Sequence, residues 1–235
     1  MIDLQNIEIG FKDKLFGIEK ISLVKGGLYV LIGANGRGKT TFLKTLVGEI
    51  PSIKGDVLIN KKGLKEMSRI DRSRSIAFVG SKQQEVDFLK VKDYVALGRI
   101  PYTNLLGVKT SDDIEKVDYA LEQLGINHLA DKFTNELSDG EKQLAAIGKA
   151  IAQETDIIIL DEPTAFLDYA NRVLVLNLLK KIAITLNKVI LFSSHDIDSI
   201  LEHNAKLLII DKANKTLKAY SSNLITKTEV INLAF

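Results

Sequence analysis

The sequence predicts an α/β fold: a parallel-sheet core, a β-rich N-terminal region beside it and a helical arm inserted over roughly 82–153. Three observations predict this. Strand-sized apolar segments alternate with helix-length segments from residue 156 to 211. A run with three- and four-residue apolar spacing, 91–152, stands before them. In "LIGANGRGKTTFLKTL", 31–46, an apolar strand passes into a helix through a glycine-rich, cationic and hydroxylated turn.

The elements follow in order. "IDLQNIEIGF", "KISLV", "LYVLIG" and "GDVLIN" are short apolar or alternating segments divided by Gly and Lys turns, and read as strands. "SIAFVG", 75–80, is a further buried strand. "VKDYVALG", "DDIEKVDYALEQLG" and "DGEKQLAAIGKAIAQ" read as helices, the first two closed by glycine. Then come strand 156–160, helix 169–186, strand 189–193, helix 196–203, strand 206–211, strand 216–220 and a short terminal helix. The three prolines, 51, 101 and 163, fall at element boundaries.

With 235 residues, 46% hydrophobic, the chain can form one sizeable domain or two closely packed subdomains. The 32 basic and 30 acidic residues nearly cancel, and no charge run suggests a nucleic-acid arm. The absence of cysteine excludes disulfides and Cys-based zinc sites. "MIDLQNIEIGFKDK" lacks the apolar centre of a signal peptide, and no aliphatic run approaches the ~18 residues of a membrane span. A cytoplasmic chain able to sit against a membrane protein is expected.

The opening stretch fits Gly-x4-Gly-Lys-Thr as Gly33, Gly38, Lys39 and Thr40. Glycines let successive backbone N–H groups curl around phosphate oxygens, and the following helix offers its positive end to the same anion. Lys39 would neutralise the β- and γ-phosphates, and the Thr40 hydroxyl would ligate Mg²⁺. "DIIILDEPT" supplies the complement, because Asp161 stands at the carboxyl edge of a buried strand, where open parallel sheets bind ligands. Asp161 would hold the metal through water and Glu162 would polarise the attacking water. "VILFSSHD" is a second apolar strand ending in polar groups, with His195 just past its edge and able to donate to the γ-phosphate or orient the water. His128 and His203, in helical and polar surroundings, receive no role.

These parts suit many phosphate-loop enzymes; "ELSDGEKQLAAIGKAIAQETDIIILDEPTAFLD", 136–168, discriminates among them. Ser138 reads as an N-cap with Glu141 three residues on, and Gly140 allows close approach, so this helix tip is a second anion site. At this point the chain resembles the ATP-binding cassette (ABC) ATPase family over almost its whole length. Gly33–Thr41 is similar to the family's Walker A motif, Leu137–Gln143 to its signature and Ile157–Glu162 to Walker B. Ala165–Asp168 resembles the D-loop, and His195 the switch histidine. Phe11 is placed like the aromatic that stacks on adenine, with Phe16 as a rival.

The resemblance implies a P-loop NTPase (RecA-like) core formed by 1–81 and 154–235, an N-terminal antiparallel β subdomain, and a helical subdomain over 82–153, all one ABC ATPase domain. It implies ATP and Mg²⁺ as ligands, with Gly33, Asn35, Gly36, Arg37, Gly38, Lys39, Thr40 and Thr41 cradling the nucleotide. It also implies a head-to-tail homodimer in which Ser138, Gly140, Glu141 and Asp168 of one copy complete the nucleotide site of the other. The remaining implied partners are integral membrane permease subunits, docked on the helical arm and the 81–104 region, and indirectly a substrate-binding protein. That places the chain at the cytoplasmic face of the membrane.

Two departures stand out. The family's Q-loop glutamine position holds Ser81, with Gln83 and Gln84 two and three residues later; either Gln83 takes the role or the serine acts through water. The signature reads Asp-Gly-Glu where Gly-Gly-Gln is common, which brings the Asp139 carboxylate near the anion site. "VALGRIPYTN", through Gly98, Arg99 and Pro101, resembles cassettes of importers for iron–siderophore complexes, haem and vitamin B12. An ABC ATPase serving another substrate, or a non-transport type such as an iron–sulfur assembly ATPase, is the alternative.

Overall fold

The computed structural model describes residues 1–81, 86, 88–103, 107–165, 167–203 and 205–235. The strands are β1 (Ile2–Gly10), β2 (Lys14–Leu23), β3 (Leu28–Ile32), β4 (Lys54–Ile59), β5 (Lys62–Gly63), β6 (Ile76–Val79), β7 (Ile157–Leu160), β8 (Val189–Ser193), β9 (Lys206–Asp211) and β10 (Thr216–Ser221). The helices are α1 (Lys39–Leu46), α2 (Arg69–Ser75), α3 (Val91–Ala96), α4 (Ser111–Leu124), α5 (Asp139–Ala152), α6 (Tyr169–Thr185), α7 (Ile197–Glu202) and α8 (Lys227–Ala234).

All the described strands join one sheet in the order β5-β4-β1-β2-β10-β9-β3-β8-β7-β6. From β9 to β6 neighbouring strands run parallel, whereas β5, β4, β1 and β2 pair antiparallel. The mixed sheet reproduces the expected α/β class. Strand sequence dictates which half is which. In β3, β7 and β8 every residue is buried, as parallel strands covered on both faces require. Their alternation divides two cores: Val30, Ile158 and Phe192 face the helical side, and Leu31, Ile159 and Leu191 face the N-terminal strands and α1.

Two elements differ from the sequence expectation. β2 starts at Lys14 rather than near residue 20, because Ile9 pairs with Phe16 and Ile7 with Ile18, extending the hairpin across Gly17. Helix α2 was not anticipated; it buries none of its residues, so it carries no apolar period, and Ser68 starts it by accepting from the Asp71 N–H at 3.1 Å. His203 keeps a purely structural place. It is buried at the end of α7, where its Nδ1–H donates to the Ser199 carbonyl at 2.6 Å.

The seam between α3–α5 and the sheet explains the Gly98-Arg99-x-Pro101 sequence. A Cβ on Gly98 would lie 2.2 Å from the Lys149 carbonyl oxygen, so only glycine permits this approach to α5. Arg99 is buried; its Nε donates to Asp113 at 2.8 Å and its Nη1 to Glu154 at 2.8 Å and the Ala152 carbonyl at 2.9 Å. Tyr102 stacks 4.2 Å from this guanidinium and 5.1 Å from that of Arg74, which donates to the Pro101 carbonyl. Gln153 closes the seam by donating to the Ser73 and Ile76 carbonyls.

The Thr110 backbone N–H, then Arg99, hold the Asp113 carboxyl down to about 2. Since this group ionises more readily when folded, its contribution is complete above pH ~4 and is lost as pH falls toward 2. Arg99→Ala is expected to lower the unfolding free energy by about 3–5 kcal/mol, by stranding the Asp113 charge. Urea denaturation at pH 7 measures this, and the difference from wild type should shrink in acid.

Candidate functional site

The carboxyl ends of β3, β8 and β7 lie side by side, so residues far apart in sequence meet along one edge. β3 continues through 33–38 into α1. Gly38 has φ 95°, and a Cβ there would sit 2.8 Å from the Leu15 side chain, so both backbone and space demand glycine. The loop thus turns tightly into the α1 N-terminus, where unpaired N–H groups gather.

Lys39 is buried. Its ammonium donates to the Gly33 carbonyl at 2.9 Å and to Asn35 Oδ1 at 3.4 Å, and lies 3.8 Å from Glu162 Oε1. The Thr40 hydroxyl donates to Asp161 Oδ2 at 2.8 Å. Asp161 Oδ1 accepts from Ser193 Oγ at 2.6 Å, and the same Ser193 oxygen accepts from the Glu162 N–H at 2.8 Å. Glu162 has φ 50°, a left-handed conformation costing a non-glycine residue roughly 1–2 kcal/mol. Its other oxygen is 3.9 Å from His195 Nδ1. A cation, two carboxylates, two hydroxyls and an imidazole therefore converge at one sheet edge.

The donor set at Thr40 and Asp161 fits Mg²⁺, which takes hard oxygen ligands, few of them from the protein. Asn35 and Gly36 are exposed and Arg37 half-buried on the loop, and the Thr41 carbonyl accepts from the Thr45 hydroxyl. Phe16 is fully buried, edge-on to Phe42 at 5.9 Å, and presents no face for stacking. Phe11 is 69% exposed in the β1–β2 turn, and β2 reaches the loop through Leu15.

The second helix tip stands apart. Ser138 caps α5: its hydroxyl accepts from the Glu141 N–H at 3.3 Å, and Glu141 Oε2 accepts from the Ser138 N–H at 2.8 Å. The Ser138 N–H, then its hydroxyl at 2.9 Å, both donate to this carboxylate and hold it below its usual range. Gly140 faces the Asn171 side chain, whose N–H group donates to Asp168 at 3.1 Å. No hydrogen bond or ion pair among the described residues joins Ser138, Gly140, Glu141 or Asp168 to the 33–41 loop. Gln83 and Gln84 lie outside the described residues, as does Phe166.

Ser193 was missed by sequence reasoning, although a serine closing an otherwise apolar buried strand is a readable signal. Ser193→Ala leaves the Glu162 N–H and one Asp161 oxygen without their partner. A stability loss of about 1–3 kcal/mol is expected by urea denaturation. Nucleotide hydrolysis should fall by about tenfold, since both acidic groups lose their anchor.

Comparison with known proteins identifies the family. The ABC transporter family model matches residues 19–165. An uncharacterised ABC transporter ATP-binding protein of Haemophilus influenzae is 36% identical over 197 residues, covering 83% of this chain and 74% of the relative. The iron(3+)-hydroxamate import ATP-binding protein FhuC of Bacillus subtilis is 31% identical over 212 residues, covering 90% and 79%. Among solved structures, a transporter assigned to the metal-chelate type, in an inward-facing conformation, superposes with TM-score 0.83 at 30% identity over 99% of this chain and 88% of its own. The chain belongs to the ABC transporter family and is an ATP-binding, ATP-hydrolysing cassette with the P-loop NTPase fold.

Proposed function

We propose that this cassette powers a metal-chelate importer, two copies pairing head to tail around two ATP molecules on the cytoplasmic side of a separate permease. The observation that carries the reading is the junction of Lys39, Thr40, Asp161 and Glu162 at adjacent strand ends. In it the 33–41 loop and Lys39 hold the phosphates, and Thr40 and Asp161 hold Mg²⁺, which when bound neutralises phosphate charge. Glu162 accepts the proton of the attacking water, with Lys39 at 3.8 Å and His195 at 3.9 Å beside its carboxylate, and His195 donates to the γ-phosphate or orients that water. Phe11 stacks on adenine and Gln83 senses the nucleotide.

The exposed Ser138 at the α5 tip, with Gly140 and Glu141, serves the second copy's nucleotide. Their separation from the 33–41 loop within one chain supports this, as does Asp168 at the N-cap of α6 beside them. The division into 1–81 with 154–235 and 82–153 gives the helical part its task of meeting the permease. Among the described residues no helix is long and apolar enough to cross a membrane, so the reading calls for such a partner. The metal-chelate class rests on relatives such as FhuC, whose name states iron(3+)-hydroxamate import.

Glu162→Gln should lower kcat by at least about 10²-fold while ATP still binds. Light scattering after size exclusion should then find a dimer with ATP and a monomer without it. Normal turnover in this variant would sink the catalytic assignment. Affinity capture from detergent-solubilised membranes tests the transport assignment: a polytopic protein is expected, and recovery of a soluble assembly complex alone would favour the iron–sulfur alternative.

A further inference from the structure

Glu162 and His195 stand on different strand ends, β7 and β8, yet approach to 3.9 Å. The chain leaving each of them leads to one residue on α6. From Glu162, two successive turns, Ala165 N–H to the Glu162 carbonyl at 3.1 Å and Leu167 N–H to the Thr164 carbonyl at 3.4 Å, lead to Leu167. The Leu167 carbonyl accepts from Arg172 Nη2 at 3.1 Å. From His195, the next residue is Asp196, whose carboxylate accepts from Arg172 Nη1 and from the Ser199 hydroxyl. The Asp196 N–H in turn donates to Ser194 Oγ at 3.1 Å. The path closes on itself through one guanidinium.

We propose that Arg172 is a positioning residue for ATP hydrolysis, its guanidinium tying the Asp168 loop to the His195 loop and so setting the approach of His195 to Glu162. This rests on the roles given above to Glu162 and His195. Three observations support it. Arg172, Glu162, Thr164, Ser194, His195 and Asp196 line one cavity of about 240 Å³, so the ring encloses space beside the reacting groups rather than packed core. The Arg172 and Asp196 side chains are 31% and 19% exposed, so the pair sits at the rim of this cavity rather than sealed in the core. Arg172 Nε is buried without a hydrogen-bond partner among the described residues, a cost that a purely stabilising arginine would avoid.

The two acceptors differ in kind and direction, and a planar fork reaches both where a single ammonium cannot. Leu167 immediately precedes Asp168, the residue assigned to the partner copy's nucleotide site. Arrival of that copy at Asp168 would therefore be felt at His195.

The test is steady-state ATPase kinetics on full-length protein with Arg172→Ala, Arg172→Lys, Asp196→Asn, His195→Ala and the Arg172→Ala/His195→Ala pair. For Arg172→Ala, kcat should fall about tenfold with KM for ATP within about twofold. Arg172→Lys should not restore it, and the double variant should be no slower than His195→Ala alone. Asp196→Asn, which keeps the shape of the side chain, should reproduce the kcat loss in smaller measure and serves if Arg172→Ala does not fold. Unchanged kcat in Arg172→Ala or Asp196→Asn, a loss confined to KM, or multiplying losses in the double variant would overturn the proposal. If His195→Ala itself turns over normally, the histidine assignment falls first; if it is impaired and Arg172→Ala is not, only the coupling falls.

Discussion

A single buried carboxylate organises this molecule. Both oxygens of Asp161 are occupied, one by the Thr40 hydroxyl and the other by Ser193. Those partners come from the helix after β3 and from the end of β8, while Asp161 itself follows β7. A charge in so enclosed a place is tolerated only when its lone pairs are met, and here meeting them locks three neighbouring loops together. The same Ser193 oxygen takes the Glu162 N–H, so the residue carrying the positive φ is secured by the junction beside it.

From this junction outward the fold becomes more ordinary. Alternating side chains of β3, β7 and β8 feed two apolar layers, and nothing in those layers distinguishes an ATPase from other parallel-sheet proteins. Specificity lives in the loops at one edge, where strain and charge are concentrated. Lys39 and Glu162 stand 3.8 Å apart without a hydrogen bond, while the ammonium is held by Gly33 and Asn35. The ammonium keeps donor capacity for a ligand with many oxygens, and the carboxylate keeps acceptor capacity for a water O–H.

The legible parts of the sequence were those with a local signature. Buried strands such as "IIIL" and "VILFS" declare themselves by length and composition, and the glycine–lysine turn by the chemistry of its backbone. Helix α2 was invisible because a seven-residue helix that buries none of its residues has no apolar period, and its Ser68 cap follows no readable face. Phe11 and Phe16 looked equivalent in the chain; strand register separates them, since pairing of Ile9 with Phe16 drives Phe16 inward. Arg172 had no local signal at all. Its meaning depends on Asp196, which lies 24 residues away, and on a carbonyl, and backbone acceptors leave no trace in side-chain identity.

The knot around Arg99 has a mechanical meaning. Arg99 fastens α4 to the end of α5, while Arg74, Tyr102 and Gln153 fasten that end to the α2–β6 junction. Separating these groups would leave a buried guanidinium and the Asp113 carboxylate without their partners, a far larger penalty than bending a loop. If α3–α5 swing during turnover, this knot is the fulcrum, and the tip at Ser138, at the opposite end of α5 from Ala152, travels farthest. A lever of about 20 Å, the length of the 14-residue α5, would turn a few degrees of rotation into an ångström-scale stroke at that tip.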